Sequence, residues 1–373
     1  MQNIFTSSNK IRIGIDGRPL EGAKSGIGRY IFELCKELDK LLPEATFFIY
    51  SQTPVEMPCS NNRWVPRVDN TYYSRFLKGV LWLKLRCATL CQEDNLDWFW
   101  GSATLLPRLP SKIRTLVTVY DLNYKIVPDT MPTSLFWAHR LYFKGDVSKA
   151  DVVTAISEGT SKRLTDILGI KVRAVVYPSV NSNFRSCDEP SVKYFLSKHK
   201  IQRPYILGVA TMEPRKNLKL LIEVFNVMCA EGKLKDYALV LVGGSGWKEL
   251  DLRRVYECNK KISFLGYVDD GDLPYLYTGA DLFTFPSLYE GFGIPVLEAR
   301  ACGTPVVATD ILEIREAGGS GNVLYVKPER DSLIKGIEAV ISKKNKIESA
   351  SNISGFDTWA DGAKKLATLF SVR

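Results

Sequence analysis

At 373 residues the chain is longer than one ordinary hydrophobic core serves, so two domains are expected. Its 45% hydrophobic and 24% charged residues exclude a disordered chain, and no apolar run approaches the roughly 18 residues of a membrane-spanning helix. The net charge of +9 is carried mainly by residues 1–180, with 24 Lys and Arg against 17 Asp and Glu, which suits a phosphate-bearing ligand, an acidic membrane surface or a solvated face.

The first ten residues are polar and lack a signal-peptide core, so a cytoplasmic location is expected. IRIGID (11–16) is a short apolar run followed by a glycine turn, SGIGRY (25–30), and apolar residues then recur at helical spacing from Ile27 to Leu41. This is the strand, turn and helix of an open parallel sheet. TFFIYS (46–51), TLVTVYD (115–121), DVVTAIS (151–157) and AVVYP (174–178) are further candidate strands. Between them, YYSRFLKGVLWLKLRCATLC (72–91) mixes Arg75, Lys78, Lys84 and Arg86 with aromatic and aliphatic residues. That pattern suits an acidic membrane interface, or a core-facing helix whose cations snorkel to solvent.

SVNSNFRSCDEPS (179–191) has no strong periodicity and marks a linker. A second cycle follows, with strand-like runs PYILGVA (204–210), ALVLVGG (238–244), ISFLGY (262–267), DLFTFPS (281–287) and TPVVATD (304–310). Residues 218–232 and 297–303 have helical spacing. The last periodic segment, FDTWADGAKKLATLF (356–370), is an amphipathic helix with Asp357 as a candidate cap. Two doubly wound α/β halves of this kind would leave a ligand cleft between their strand ends.

Only two histidines occur, and none of the eight cysteines forms a CxxC pair, which weighs against zinc, His-ligated metals and a Ser-His-Asp hydrolase. The cysteines are expected to be reduced and mostly buried. SGIGRY carries GxG but not a full GxGxxG fingerprint, and it fits a tight turn and a ligand-touching loop equally. In EPRKN (213–217), Arg215 and Lys216 would project from the ligand edge of a sheet, where an arginine fork beside a lysine point charge suits a diphosphate better than a solvated loop pair, the alternative. GGSGW (243–247) would add backbone amides nearby. Asp270 and Asp272 have DxD spacing, but an acid there more readily caps the helix starting near Leu273.

In SLYEGFGIPVLEARACGTPVV (287–307), Glu290 falls in a loop beside the amides of Gly291, Phe292 and Gly293, and Glu298 in the first turn of the helix beginning near Pro295. From the residues alone, the two carboxylates fit a sugar-ribose ligand and a solvated turn about equally.

This stretch resembles the E-x7-E signature of family 4 retaining glycosyltransferases, in the spacing of Glu290 and Glu298 and in their surroundings. The likeness extends in order through SGIGRY, VTVYDL, AISEGTSKRL, GVATMEPRKNL and LVGGSGW, and is most similar to bacterial mannosyltransferases of polysaccharide and O-antigen assembly. It implies an α/β GT-B architecture of two Rossmann-like doubly wound domains: residues 1–180 binding the acceptor, 181–355 binding the nucleotide sugar, and 356–373 a helix returning to the first domain. It implies Arg215 and Lys216 on the diphosphate, Glu298 on the ribose, and Glu290 with the amides of Gly291, Phe292 and Gly293 at the donor sugar. Gly26 and Gly28 would lie in a loop closing over the phosphates. Tyr120 stands where many relatives carry histidine, and a tyrosine supplies one neutral donor there.

The resemblance implies retaining, metal-independent hexosyl transfer without a cofactor, with GDP-mannose as the donor. The acceptor would be a lipid-linked saccharide, and the enzyme would be cytoplasmic or peripheral at the inner membrane's cytoplasmic face, with no nucleic-acid partner. A non-hydrolysing nucleotide-sugar epimerase and a non-catalytic nucleotide-sugar or lipid-carrier binding protein are the competing classes.

Overall fold

A computed structural model describes residues 10–22, 26–77, 79–244, 246, 259–320, 322–342 and 357–371. The chain divides into two compact units. Unit 1 comprises residues 1–120, 134–178 and 357–373, and unit 2 residues 121–133 and 179–356. Ser25 and Lys78, and Ser245 and Trp247 of the GGSGW stretch, lie outside the described residues.

Unit 1 is built on a seven-stranded parallel sheet: β1 (Arg12–Asp16), β2 (Thr46–Ser51), β3 (Trp64–Val68), β4 (Trp98–Gly101), β5 (Arg114–Val119), β6 (Val152–Ala155) and β7 (Ala174–Val175), in the order β3-β2-β1-β4-β5-β6-β7. β1 lies inside the sheet, with Ile13 facing Phe47 on one side and Trp98 on the other. Sheets covered by helices on both faces take continuous apolar strands, and β2 and β4 are buried along almost their whole length. Pro66 lacks an amide hydrogen and is tolerated because β3 is an edge strand.

Helix α1 (Gly26–Leu41) buries Tyr30, Ile31, Leu34 and Leu38. The C-terminal helix Trp359–Ser371 packs against it, with Trp359 edge-on to Tyr30 at 5.9 Å and Phe370 edge-on to Trp98 at 5.5 Å. Asp357 is not the cap of this helix. Thr358 and Asp361 exchange bonds in a capping box, and Asp357 instead pairs with Lys365 at 2.6 Å.

Residues 80–93 are helical, with a π-helical turn at Leu83–Cys87. The orientation of this segment corrects the sequence expectation. Lys84 is buried, pairs with Asp146 and donates to the Leu106 carbonyl at 2.7 Å, while Arg86 pairs with Asp69 at 3.2 Å. Trp82 and Leu83 are fully buried, whereas Tyr72, Phe76, Leu81 and Leu85 are exposed. Two of the four cations therefore face protein, and part of the apolar surface faces outward. A buried ammonium needs a carboxylate, and Asp146 supplies it.

Unit 2 holds a six-stranded parallel sheet of β8 (Tyr205–Val209), β9 (Ala238–Val242), β10 (Ile262–Gly266), β11 (Leu282–Phe285), β12 (Val306–Thr309) and β13 (Val323–Val326), in the order β10-β9-β8-β11-β12-β13. One face carries a core of Leu221, Ile222, Phe225, Leu239, Leu241 and Ile337. The order reverses between β8 and β11, and at such a switch point the loops leaving the two strands diverge to opposite faces of the sheet and open a crevice.

Candidate active site in the second unit

The crevice at the β8/β11 switch point is formed by two loops, and backbone bonds tie them together. After β8 the chain runs through Glu213 into a single 3-10 turn, Pro214–Lys216, then Asn217 in the left-handed region at φ 55°, then the helix Leu218–Ala230. Asparagine tolerates that conformation better than most side-chain-bearing residues, and here its amide donates to the Pro286 carbonyl of the loop after β11 at 3.3 Å. Leu288 N–H donates to the Arg215 carbonyl at 2.8 Å, fastening the loop after β11 to the same turn.

Arg215, Lys216 and Glu290 converge there. One Arg215 Nη donates to Glu290 Oε2 at 2.6 Å and to the Tyr289 carbonyl at 2.8 Å, and the other to Glu213 Oε1 at 2.6 Å. Lys216 Nζ donates to Glu290 Oε1 at 2.7 Å, so both carboxylate oxygens of Glu290 are engaged. Two cations thus balance two carboxylates, and Glu290 and Glu213 are buried at 6% and 4% exposure. Burial alone would raise the Glu290 carboxyl, but Arg215 and Lys216 outweigh it and hold it down to about 2. Burial pulls Arg215 down while Glu290 and Glu213 more than restore it, and Lys216 is lowered chiefly by burial against the attraction of Glu290. Glu290 is therefore ionised at neutral pH and is no proton donor, and Arg215 beside it can meet an anion.

Glu213 and Tyr289 belong to this cluster and were not singled out from the sequence. Tyr289 Oη accepts from Leu122 N–H at 3.1 Å within the same unit. The signal for Glu213 was present: an acid two residues before a buried arginine supplies its second partner.

Gly293 has φ 116° and precedes the helix Ile294–Ala301, a backbone geometry that side-chain-bearing residues rarely adopt. Gly291 and Phe292 lead into it, with the Phe292 ring buried. Glu298 is the fifth residue of this helix, in its second turn and not its first, so the dipole argument for its ionisation loses most of its force. It is buried and accepts from Tyr277 Oη at 2.9 Å. Two of the glycines of GGSGW, Gly243 and Gly246, have a packing role. A Cβ on Gly243 would stand 1.9 Å from the Ala210 carbonyl oxygen, and one on Gly246 2.0 Å from that of Met212, so they let two loops lie close together. Asp272 occupies the N-cap position of the helix Leu273–Gly279, but its side chain makes no capping bond.

Three residues named from the sequence lie in unit 1. Gly26 and Gly28 form part of the first turn of α1 itself, not a loop ahead of it. Tyr120 follows β5, is buried, and donates to the Ser102 carbonyl at 2.7 Å, with its ring edge-on to Tyr30 at 5.5 Å. Burial pushes its phenol well above the ordinary range, so it stays neutral.

Residues 195–354, which contain the whole β8/β11 cluster, match the model of the family described as glycosyl transferases group 1. The chain is 26% identical over 332 residues to the O-antigen chain mannosyltransferase B of Escherichia coli, covering 84% of this chain and 86% of that one. It is 29% identical over 284 residues to the O-antigen chain mannosyltransferase RfbU of Salmonella typhimurium, covering 73% and 74%. The crystal structure of WaaG, a glycosyltransferase involved in lipopolysaccharide biosynthesis, superposes with a TM-score of 0.76 at 14% identity, over 97% of this chain and all of that one. At that identity the likeness speaks for the fold, two parallel-sheet α/β domains of the GT-B kind.

Proposed function

Because residues 195–354 form a group 1 glycosyl transferase domain in a chain of GT-B fold, we propose that this glycosyltransferase moves mannose from GDP-mannose to a lipid-linked saccharide in O-antigen assembly. The relatives' names support the mannosyl and O-antigen parts of this reading. The observation that carries the donor site is the buried Arg215–Glu290–Lys216 cluster at the switch point of unit 2.

The donor's diphosphate enters against Arg215 and Lys216. Their charges are already desolvated, so they stabilise the anion that grows on the leaving nucleoside diphosphate without reorganising water. Glu290 gives up at least one of its two cations to that anion, and a freed oxygen then accepts from donor-sugar hydroxyls, beside the amides of residues 291–293. Glu213 holds Arg215 in orientation while this happens. Glu298 accepts from the ribose, and transfer proceeds with retention and without a metal or cofactor.

The acceptor's lipid places the enzyme at the cytoplasmic face of the inner membrane as a peripheral protein. No described helix is long and apolar enough to cross a membrane. The outward Tyr72, Phe76, Leu81 and Leu85 of unit 1 support surface contact better than the inward Lys84.

A thermal-shift panel of GDP-, UDP-, ADP- and dTDP-sugars tests the donor, with GDP-mannose expected to give the largest stabilisation. Product analysis with donor alone tests the epimerase alternative, and an isomerised nucleotide sugar would replace the transferase reading.

A further inference from the structure

Glu298, given above to the ribose, is a carboxylate at 3% exposure in the second turn of the helix Ile294–Ala301. A carboxylate so far from water costs free energy unless donors meet it, and those donors also decide which way its oxygens face. Tyr277 Oη donates to Glu298 Oε2 at 2.9 Å. The two residues are 21 positions apart, and Tyr277 comes from the helix Leu273–Gly279 that precedes β11.

Tyr277 is itself held from several sides. It is fully buried, with its ring edge-on to Phe283 of β11 at 5.3 Å and tilted towards Phe184 at 6.3 Å. Its carbonyl accepts from the Thr304 hydroxyl at 2.6 Å and from Ala280 N–H at 3.1 Å. Thr304 N–H in turn donates to the Ala299 carbonyl at 2.9 Å, in the helix that carries Glu298. One bond thus runs from the Tyr277 side chain to Glu298, and another returns from just past that helix to the Tyr277 backbone. A ring fixed at its edge and at its root presents the hydroxyl at one place, which preorganises the carboxylate it meets.

A buried phenol needs a partner in any case, so the choice of partner is what carries meaning. Tyr30, Tyr120 and Tyr205 give their hydroxyls to the backbone carbonyls of Val176, Ser102 and Leu276, at 2.9, 2.7 and 2.6 Å. Tyr50 does reach a carboxylate, Asp94, but Arg67 holds that carboxylate as well, at 2.9 Å. Tyr277 instead meets the glutamate whose helix follows the β11 loop of the switch point. A phenol orients a carboxylate without bringing a cation's charge. Unlike Arg215 and Lys216 on Glu290, it has no need to leave when ligand hydroxyls arrive.

We propose that Tyr277 is the positioning residue of the ribose site, its hydroxyl holding Glu298 in the orientation from which that carboxylate accepts from the ribose diol. The proposal rests on the ribose reading of Glu298 and adds what makes that residue competent. Calorimetric titration of the full chain with GDP and with 2′,3′-dideoxy-GDP tests it, because only the first has the hydroxyls that Glu298 would accept from. UDP and its dideoxy form are run beside them, so that the test holds for either base. The wild-type chain should prefer the diol-bearing ligand at least about tenfold, the worth of hydrogen bonds to a charged group. Tyr277→Phe keeps the ring and should cut that preference about three- to tenfold while the dideoxy ligand binds as it does to the wild type. Donor KM should rise more than kcat falls. Glu298→Ala should remove the preference, and adding Tyr277→Phe to it should change nothing further. Equal weakening of both ligands by Tyr277→Phe would show a role in packing alone and overturn the proposal, as would a preference that the substitution leaves intact. If neither diphosphate binds, if the wild type has no preference, or if Glu298→Ala keeps it, the ribose reading of Glu298 fails and the proposal falls with it.

Discussion

Removing the Glu290 carboxylate would leave Arg215, largely buried, paired with Glu213, and would take from the largely buried Lys216 the carboxylate it donates to. Glu290→Ala should therefore keep or strengthen diphosphate binding and lower turnover by about 100-fold or more, because the sugar loses its acceptor group. Glu298→Ala should instead weaken nucleotide binding. Calorimetric titration with GDP beside initial-rate measurements separates the two, and equal effects on affinity and rate in both variants would remove the assignment of roles.

The same carboxylate makes a pH prediction. Its folded value of about 2 lies below its ordinary 4.5, so between those two pH values the unfolded chain binds a proton that the folded chain does not. Stability from this group is complete above about pH 4.5 and is lost as pH falls towards 2. Glu290→Gln should flatten the acid limb of urea-unfolding stability in that window. Identical slopes in both proteins would show that the ion pairs contribute nothing there. The residue types at this cluster were legible in the sequence, but their meeting was not. Arg215 and Glu290 are 75 positions apart, and only the adjacency of β8 and β11 joins their loops.

Among the elements, the buried parallel strands were the most legible. β9, β11 and β12 are largely apolar runs followed by glycine, proline or aspartate, and β8 is an apolar run around Gly208, the pattern of strands in a sheet covered on both sides. β3 was hidden by Pro66, and β4 and β13 were not read as strands.

The segment 72–91 was legible as amphipathic, but its orientation was not. Which stripe turns inward depends on Asp146 and Asp69, contributed from elsewhere in the chain. The membrane test moves accordingly from the cations to the outward leucines: Leu81→Glu plus Leu85→Glu should reduce co-sedimentation with vesicles of anionic phospholipid severalfold. Unchanged sedimentation would remove this face from the membrane reading. Substituting Lys84 would test folding and not binding, since it strands Asp146.

At the scale of the whole molecule, two α/β halves could be read from two cycles of strand and helix, but the affiliation of residues 121–133 could not. That segment follows a strand of the first sheet and yet belongs to unit 2, through contacts such as Leu122 with Tyr289 that leave no trace in local pattern. The C-terminal helix seals unit 1 by covering α1 and the rings of Trp98 and Trp100. Phe370→Ala should destabilise that unit by about 3–5 kcal/mol, measured as a lowered urea midpoint. A shift below about 1 kcal/mol would show that the helix is dispensable to it.

The return of residues 357–371 to unit 1 also sets an order of assembly. A chain emerging from the ribosome has all of residues 179–356 in hand before the last helix of unit 1 exists. The second unit can close while the first still shows the apolar side of α1, so the half synthesised first is completed last. An exchange of the second unit between relatives would then have to be made as two insertions into unit 1, at residues 121–133 and 179–356, with all three segments of unit 1 kept from one parent.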